Sequence, residues 1–233
     1  MLAETIVLVP GLDGTGSLYY RQVPLLERRH RVAAHRLRDD RRLMSELVAD
    51  LDERVREAGG DGPVTLVGES FGGALTLSYA LAHPDRVARL VILNSFPHFP
   101  ARARLWLGEH LLRAAPWGVM RVARQVSEFR MHSPQTEAAE RRRFHELMRA
   151  TTRHGYVARL RMLRHYDVRD RLGELRVPVL YLAADGDRLV PAVRQAEAMR
   201  RLTPNGTMRI LAGHGHICLI APDLNLADII DNW

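Results

Sequence analysis

The chain has 233 residues, 46% of them hydrophobic, which suits one α/β domain with a sizeable core. All of its basic residues are arginine, and the net charge is +7. No apolar run reaches the roughly eighteen residues of a membrane-spanning helix, and the lone cysteine, Cys218, excludes an internal disulfide and argues against a multi-cysteine zinc site.

The first predicted element is a strand over Thr5–Val9. No basic segment, long apolar stretch and cleavage site precede it, so a cytoplasmic protein is expected. The strand runs into Pro10-Gly11-Leu12-Asp13-Gly14-Thr15-Gly16, a glycine-rich turn without the spacing of a phosphate-binding loop. Its rigid backbone N–H groups suit an oxyanion, and Leu12 is the candidate donor. A strand over Arg31–Leu37 and a helix over Arg41–Glu57 follow. Next comes the strand Val64–Gly68, and with it Gly68-Glu69-Ser70-Phe71-Gly72-Gly73, which opens a helix over Phe71–Ala82. A serine on a sharp strand-to-helix turn projects its hydroxyl from the sheet edge, and the flanking glycines let backbones pass where Cβ atoms would not fit. Ser70 is therefore the candidate nucleophile, and the Phe71 N–H is the second oxyanion donor.

After a strand over Ala88–Leu93, no strand is predicted between Phe96 and Leu172. This block is helical in composition, interrupted by Pro97, Pro100, Pro116 and Pro134, and reads as a cap inserted between two sheet strands. Residues 96–172 are assigned to the cap, and 1–95 with 173–233 to the core. From His98 to Arg171 there are 16 Arg against 7 acidic residues, a net of +9. Arg141, Arg142, Arg143, Arg149, Arg153, Arg159, Arg161 and Arg164 either form a solvated face or bind an anionic substrate or an acidic partner such as a carrier protein bearing an acyl group. No nucleic-acid motif accompanies them. Trp106, Trp117 and Met120 are candidate acyl-pocket residues, with cap packing as the alternative.

The strand Val177–Ala183 leads into Ala184-Asp185-Gly186-Asp187-Arg188-Leu189-Val190-Pro191. Here Asp187 is the candidate orienting carboxylate, with Asp185 left to shape the turn. A helix over Ala192–Leu202 and a strand over Thr207–Leu211 precede Gly213-His214-Gly215-His216. His216 is the candidate general base and His214 its rival. No carboxylate or cysteine cluster turns the two histidines into a metal site, and no cofactor is expected. A final helical segment begins near Asp223.

Near-continuous Val/Ile/Leu strands alternating with helices predict a parallel sheet covered on both faces, about six strands wide. The order Ser, Asp, His, each at the end of a strand, resembles that of the α/β-hydrolase superfamily. The resemblance covers nearly the whole length. Val64–Gly73 resembles its nucleophile elbow, Val177–Pro191 its acid segment, Gly215-His216 its histidine loop, and Leu81–Leu93 its passage from helix to strand. Two departures stand out: the chain starts at what would be the third strand, and Pro10-Gly11 replaces the family's His-Gly pair. The resemblance implies a three-layer fold with a helical cap and a serine hydrolase acting on a small acyl ester or thioester, in kind a carboxylesterase. Haloalkane dehalogenation is ruled out, since it needs aspartate where Ser70 stands. An acyltransferase or lyase using the same triad, and a non-catalytic binding protein, are the rival expectations.

Overall fold

The computed structural model describes residues 3–99, 102–114 and 131–233. Six strands, β1 (Thr5–Val9), β2 (Arg31–Ala34), β3 (Val64–Glu69), β4 (Val87–Leu93), β5 (Val179–Ala184) and β6 (Gly206–Leu211), form one sheet in the order β2-β1-β3-β4-β5-β6. Every neighbouring pair is parallel. Parallel strands need covered faces, and β3 and β5 are buried at every position. The edges relax this rule. β6 leaves Ile210 half exposed, and β2 ends at Ala34, three residues short of the predicted Leu37.

Side chains alternate between the two faces. Val7, Val9, Leu66 and Ile92 pack with α2 (Met44–Gly59), α3 (Phe71–Ala82) and α7 (Ala192–Leu202). Ile6, Leu8, Val67 and Val91 pack instead with α1 (Val23–Leu26) and α8 (Leu226–Asp231). The result is three layers. The short helical stretch from Ser17 to Leu26 had no sequence signal, because a 3₁₀ turn and four α-helical residues are too brief to show periodicity. α2 starts at Met44 rather than Arg41, where the Glu46 carboxylate accepts the N–H groups of Arg42 and Leu43 at 2.7 and 2.9 Å.

Between β4 and β5 the described residues form α4 (Arg102–Ala114), α5 (Ala138–Leu147) and α6 (Arg153–His165). α4 packs on α6. The buried Glu109 of α4 accepts from Arg164 of α6 at 2.8 Å. The chain runs from β1 outward to β2, then returns to place β3 on the other side of β1. At such a reversal the loops leaving the two strands diverge and open a crevice at their C-terminal ends. The turns after β1 and β3 meet there.

Candidate active site

Ser70 sits between β3 and α3 with φ 54° and ψ −116°, a conformation unfavourable for any residue with a Cβ. Close packing of the turn holds it there. A Cβ on Gly68 would lie 2.5 Å from the Gly72 carbonyl oxygen, and one on Gly72 would lie 2.2 Å from the Val9 carbonyl oxygen. Only glycine at both positions lets α3 start against the end of β1. The Ser70 carbonyl is fixed by the Ser95 hydroxyl, which donates to it at 2.7 Å.

His216 Nε2 lies 3.1 Å from Ser70 Oγ, and His216 Nδ1 lies 2.6 Å from Asp187 Oδ2. An ionised carboxylate only accepts, so the ring proton sits on Nδ1 and the Nε2 lone pair faces the serine hydroxyl. The other carboxylate oxygen of Asp187 accepts the N–H groups of Leu189 and Val190 at 2.8 and 2.9 Å, which sets the side chain's rotation. Asp185, by contrast, accepts the Gly213 N–H at 2.7 Å and ties the two loops together. His214 faces elsewhere: its Nδ1 lies 3.0 Å from Ser133 Oγ, and its Nε2 3.8 Å from Asp223. The structure thus joins Ser70, His216 and Asp187 in one chain and leaves His214 and Asp185 outside it.

Ser70 and His216 are both buried. Burial alone would lower the His216 pKa, but the Asp187 hydrogen bond and charge, aided by the charge of Glu69, outweigh it and raise the pKa above the ordinary 6.5. Among the described residues no hydrogen bond is recorded for the Leu12 or the Phe71 amide N–H. The turn that carries Leu12 is braced from two sides. The buried Asp13 accepts the N–H and the hydroxyl of Thr15 at 2.8 and 2.6 Å. Arg159, reaching across from α6, donates to the Leu12 carbonyl at 3.1 Å and to Asp39 at 2.5 Å.

That placement corrects the basic face drawn from the sequence. Arg159 is buried and braces the turn that carries Leu12, whereas Arg142, Arg143, Arg149 and Arg161 are exposed. A mid-helix arginine on the apolar face of α6 was the signal available, and it was hidden within a run of arginines. Trp106 is half exposed on α4 and stacks on His110 with ring centroids 4.2 Å apart. Trp117 and Met120 lie outside the described residues.

Sequence reasoning also missed Asn94, the residue after β4, which has φ 47°. Its amide donates to the His216 carbonyl at 3.0 Å, and its carbonyl oxygen accepts the Ala184 N–H at 2.8 Å. One side chain thus links the end of β4 to the end of β5 and to the histidine loop. An asparagine just after an apolar strand was the only cue.

Among the described residues no cluster of three His, Cys, Asp or Glu side chains offers a metal site, and no helix is long and apolar enough to cross a membrane.

A family model described as the alpha/beta hydrolase fold matches residues 4–221. A "Putative carbamate hydrolase RutD" from Serratia proteamaculans is 25% identical and aligns over 100% of this chain and 91% of its own. Its counterpart in Caulobacter vibrioides is 29% identical, covering 91% and 83%. Among solved structures, MenH from S. aureus superposes with a TM-score of 0.86 at 18% identity, covering 100% of this chain and 93% of its own. A thermophilic esterase from Thermogutta terrifontis gives 0.84 at 22%, covering 100% and 89%. At these identities the structural likenesses speak to the fold alone.

Proposed function

The chain belongs to the α/β-hydrolase family, and from that premise we propose that it is a serine hydrolase that cleaves a carboxylic ester or thioester through an acyl-enzyme on Ser70. The observation that carries this reading is the connected chain Ser70 Oγ, His216 Nε2, His216 Nδ1 and Asp187 Oδ2, with links of 3.1 and 2.6 Å.

In the first half-reaction Ser70 Oγ bonds to the acyl carbon while its proton moves to His216 Nε2. The carbonyl oxygen becomes an anion facing the N–H groups of Leu12 and Phe71, each worth roughly 3–4 kcal/mol to such a transition state. The positive N-terminus of α3 adds to the field there. Asp187 holds the imidazolium so formed. Collapse of the tetrahedral adduct breaks the acyl–oxygen or acyl–sulfur bond, and the leaving group takes the proton from Nε2. Water then repeats the sequence on the acyl-enzyme, releasing the acid and restoring the Ser70 hydroxyl. Residues 96–172 act in this reading as a lid that selects acyl groups.

The RutD relatives support a second substrate reading, in which the carbonyl belongs to a carbamate. The same serine chemistry applies, so the discriminating quantity is the ratio of kcat/KM values. Fluorophosphonate labelling followed by peptide mapping tests the nucleophile. Modification confined to Ser70 is expected, and an unlabelled Ser70 would remove the acyl-enzyme and favour a binding protein on this scaffold. A panel of p-nitrophenyl esters with acyl chains of different length, run beside aryl carbamates and with added alcohols, then separates esterase, carbamate hydrolase and acyltransferase by rate and product.

A further inference from the structure

Glu69, the residue before the serine in the elbow motif, is buried and has no part in the chemistry above. Its two carboxylate oxygens face different parts of the site. Oε1 lies 3.8 Å from His216 Nε2, on the side of the ring that takes the serine proton. Oε2 packs on Gly11 so closely that a Cβ there would approach to 2.5 Å. Gly11 directly precedes Leu12, so one carboxylate touches both the proton acceptor and the root of the oxyanion turn.

Packing alone does not account for an acid here. A buried carboxylate is costly unless something compensates its charge, and a glutamine would fill the same space without that cost. The groups whose charge or hydrogen bonding couples to Glu69 include His216, Asp13, Asp187, the Gly11 N–H, the Tyr19 hydroxyl and the Cys218 thiol. Two of these are acids that oppose its charge, and the Tyr19 hydroxyl lies within bonding range of the backbone carbonyls of Val9 and Val67, at 3.0 and 3.3 Å. His216 is the one side chain in the set that can become a cation.

We propose that Glu69 is a positioning residue that stabilises the imidazolium form of His216 and holds the oxyanion turn through Gly11. The proposal rests on the serine-hydrolase reading. In molecules whose Glu69 is ionised, positive charge appears on His216 beside an anion already in place as Ser70 attacks, so no reorganisation is needed at that moment. Burial, opposed most by His216, pushes the Glu69 pKa up to about 7. With His216 raised above its ordinary value, the two groups titrate as a coupled pair, and their protons belong to the pair.

The test compares the wild type with Glu69→Gln, which keeps shape and an acceptor for Gly11 but removes the charge, and with Glu69→Asp, which keeps the charge. The readouts are the pH profile of kcat/KM on a p-nitrophenyl ester and the His216 titration followed by NMR. In Glu69→Gln the acid limb and the His216 pKa are expected to fall by about one unit, and plateau kcat by on the order of tenfold, the equivalent of one unit in protonation equilibrium. In Glu69→Asp the acid limb is expected to stay at the wild-type position. A Glu69→Gln protein whose limb, His216 titration and kcat match the wild type overturns the proposal. The NMR titration needs no turnover, so it decides the role of Glu69 even if the wild type proves unable to label or hydrolyse.

Discussion

Individual residues here are constrained by what their second polar atom does. Asp187 uses one oxygen for His216 and the other for two backbone N–H groups, so neither oxygen can be exchanged for an NH₂ without a donor facing a donor. Asp187→Asn is therefore expected to lower kcat on the order of 10⁴-fold through a wrong histidine tautomer, with the fold retained by circular dichroism. Ser70→Ala should lower kcat further, on the order of 10⁶-fold, in the same ester assay. The proposed mechanism needs neutral His216, whose pKa is raised by Asp187 and Glu69 against the effect of burial. The half-maximal point of the acid limb is expected above pH 6.5, and a limb centred below that value would contradict the balance drawn here. At this scale the motif residues Ser70, Asp187 and His216 were legible, because each sits in a short pattern dictated by local backbone needs. Asn94 and Glu69 were not, because their roles lie in contacts with segments far away in the chain.

Elements meet at the site through backbone contacts that leave no space. The start of α3 presses on the end of β1 at Gly72, where an added Cβ would lie 2.2 Å from the Val9 carbonyl oxygen and 2.6 Å from that of Pro10. Gly72→Ala is expected to push the oxyanion turn away from Ser70. We expect kcat/KM to fall roughly 10²–10³-fold, the scale of a lost oxyanion donor, and the unfolding free energy to fall by about 1–3 kcal/mol. Full ester turnover in that variant would show that the turn's position is unimportant. The segment between β4 and β5 is bound to the histidine loop as well as to the core. The Ile217 N–H donates to the Met131 carbonyl at 2.9 Å, and the Gly215 N–H donates to Ser133 Oγ at 3.2 Å. Strands could be predicted from continuous apolar runs and long helices from hydrophobic period. The cross-ties could not, since a carbonyl that pairs with a distant amide leaves no mark on the side-chain pattern.

For the whole molecule, burial of neutral histidines makes stability depend on pH. Burial pushes His35 and His132 down to about 4. The nearby charges of Asp50 and Glu57 only partly offset it at His35, and those of Arg141 and His145 add to it at His132. Their folded pKa values lie below the unfolded one, so their contribution to stability is present above pH 6.5 and is lost as pH falls towards 4. Each is expected to contribute on the order of 1–3 kcal/mol. His216 acts in the opposite sense: its pKa is raised, and its contribution is present at low pH and lost as pH rises. Urea unfolding from pH 7.5 to 4.5 is expected to show falling stability in the wild type and a shallower fall in His35→Gln. Equal slopes for the two proteins would remove His35 from the account.

The sequence by itself determined the alternation of strand and helix, the parallel sheet, and the loops that carry chemistry. Those are local matters: apolar runs must be buried, and the tight turns at Gly68 and Gly72 admit only glycine. Tertiary structure decided which of two histidines meets which of two aspartates. It also decided that Arg159 lies inside rather than on a basic face, and that Glu69 lies between His216 and Gly11. These pairings join residues up to about 150 positions apart in the chain, and their geometry comes from strand order and loop closure, which no short window of sequence contains.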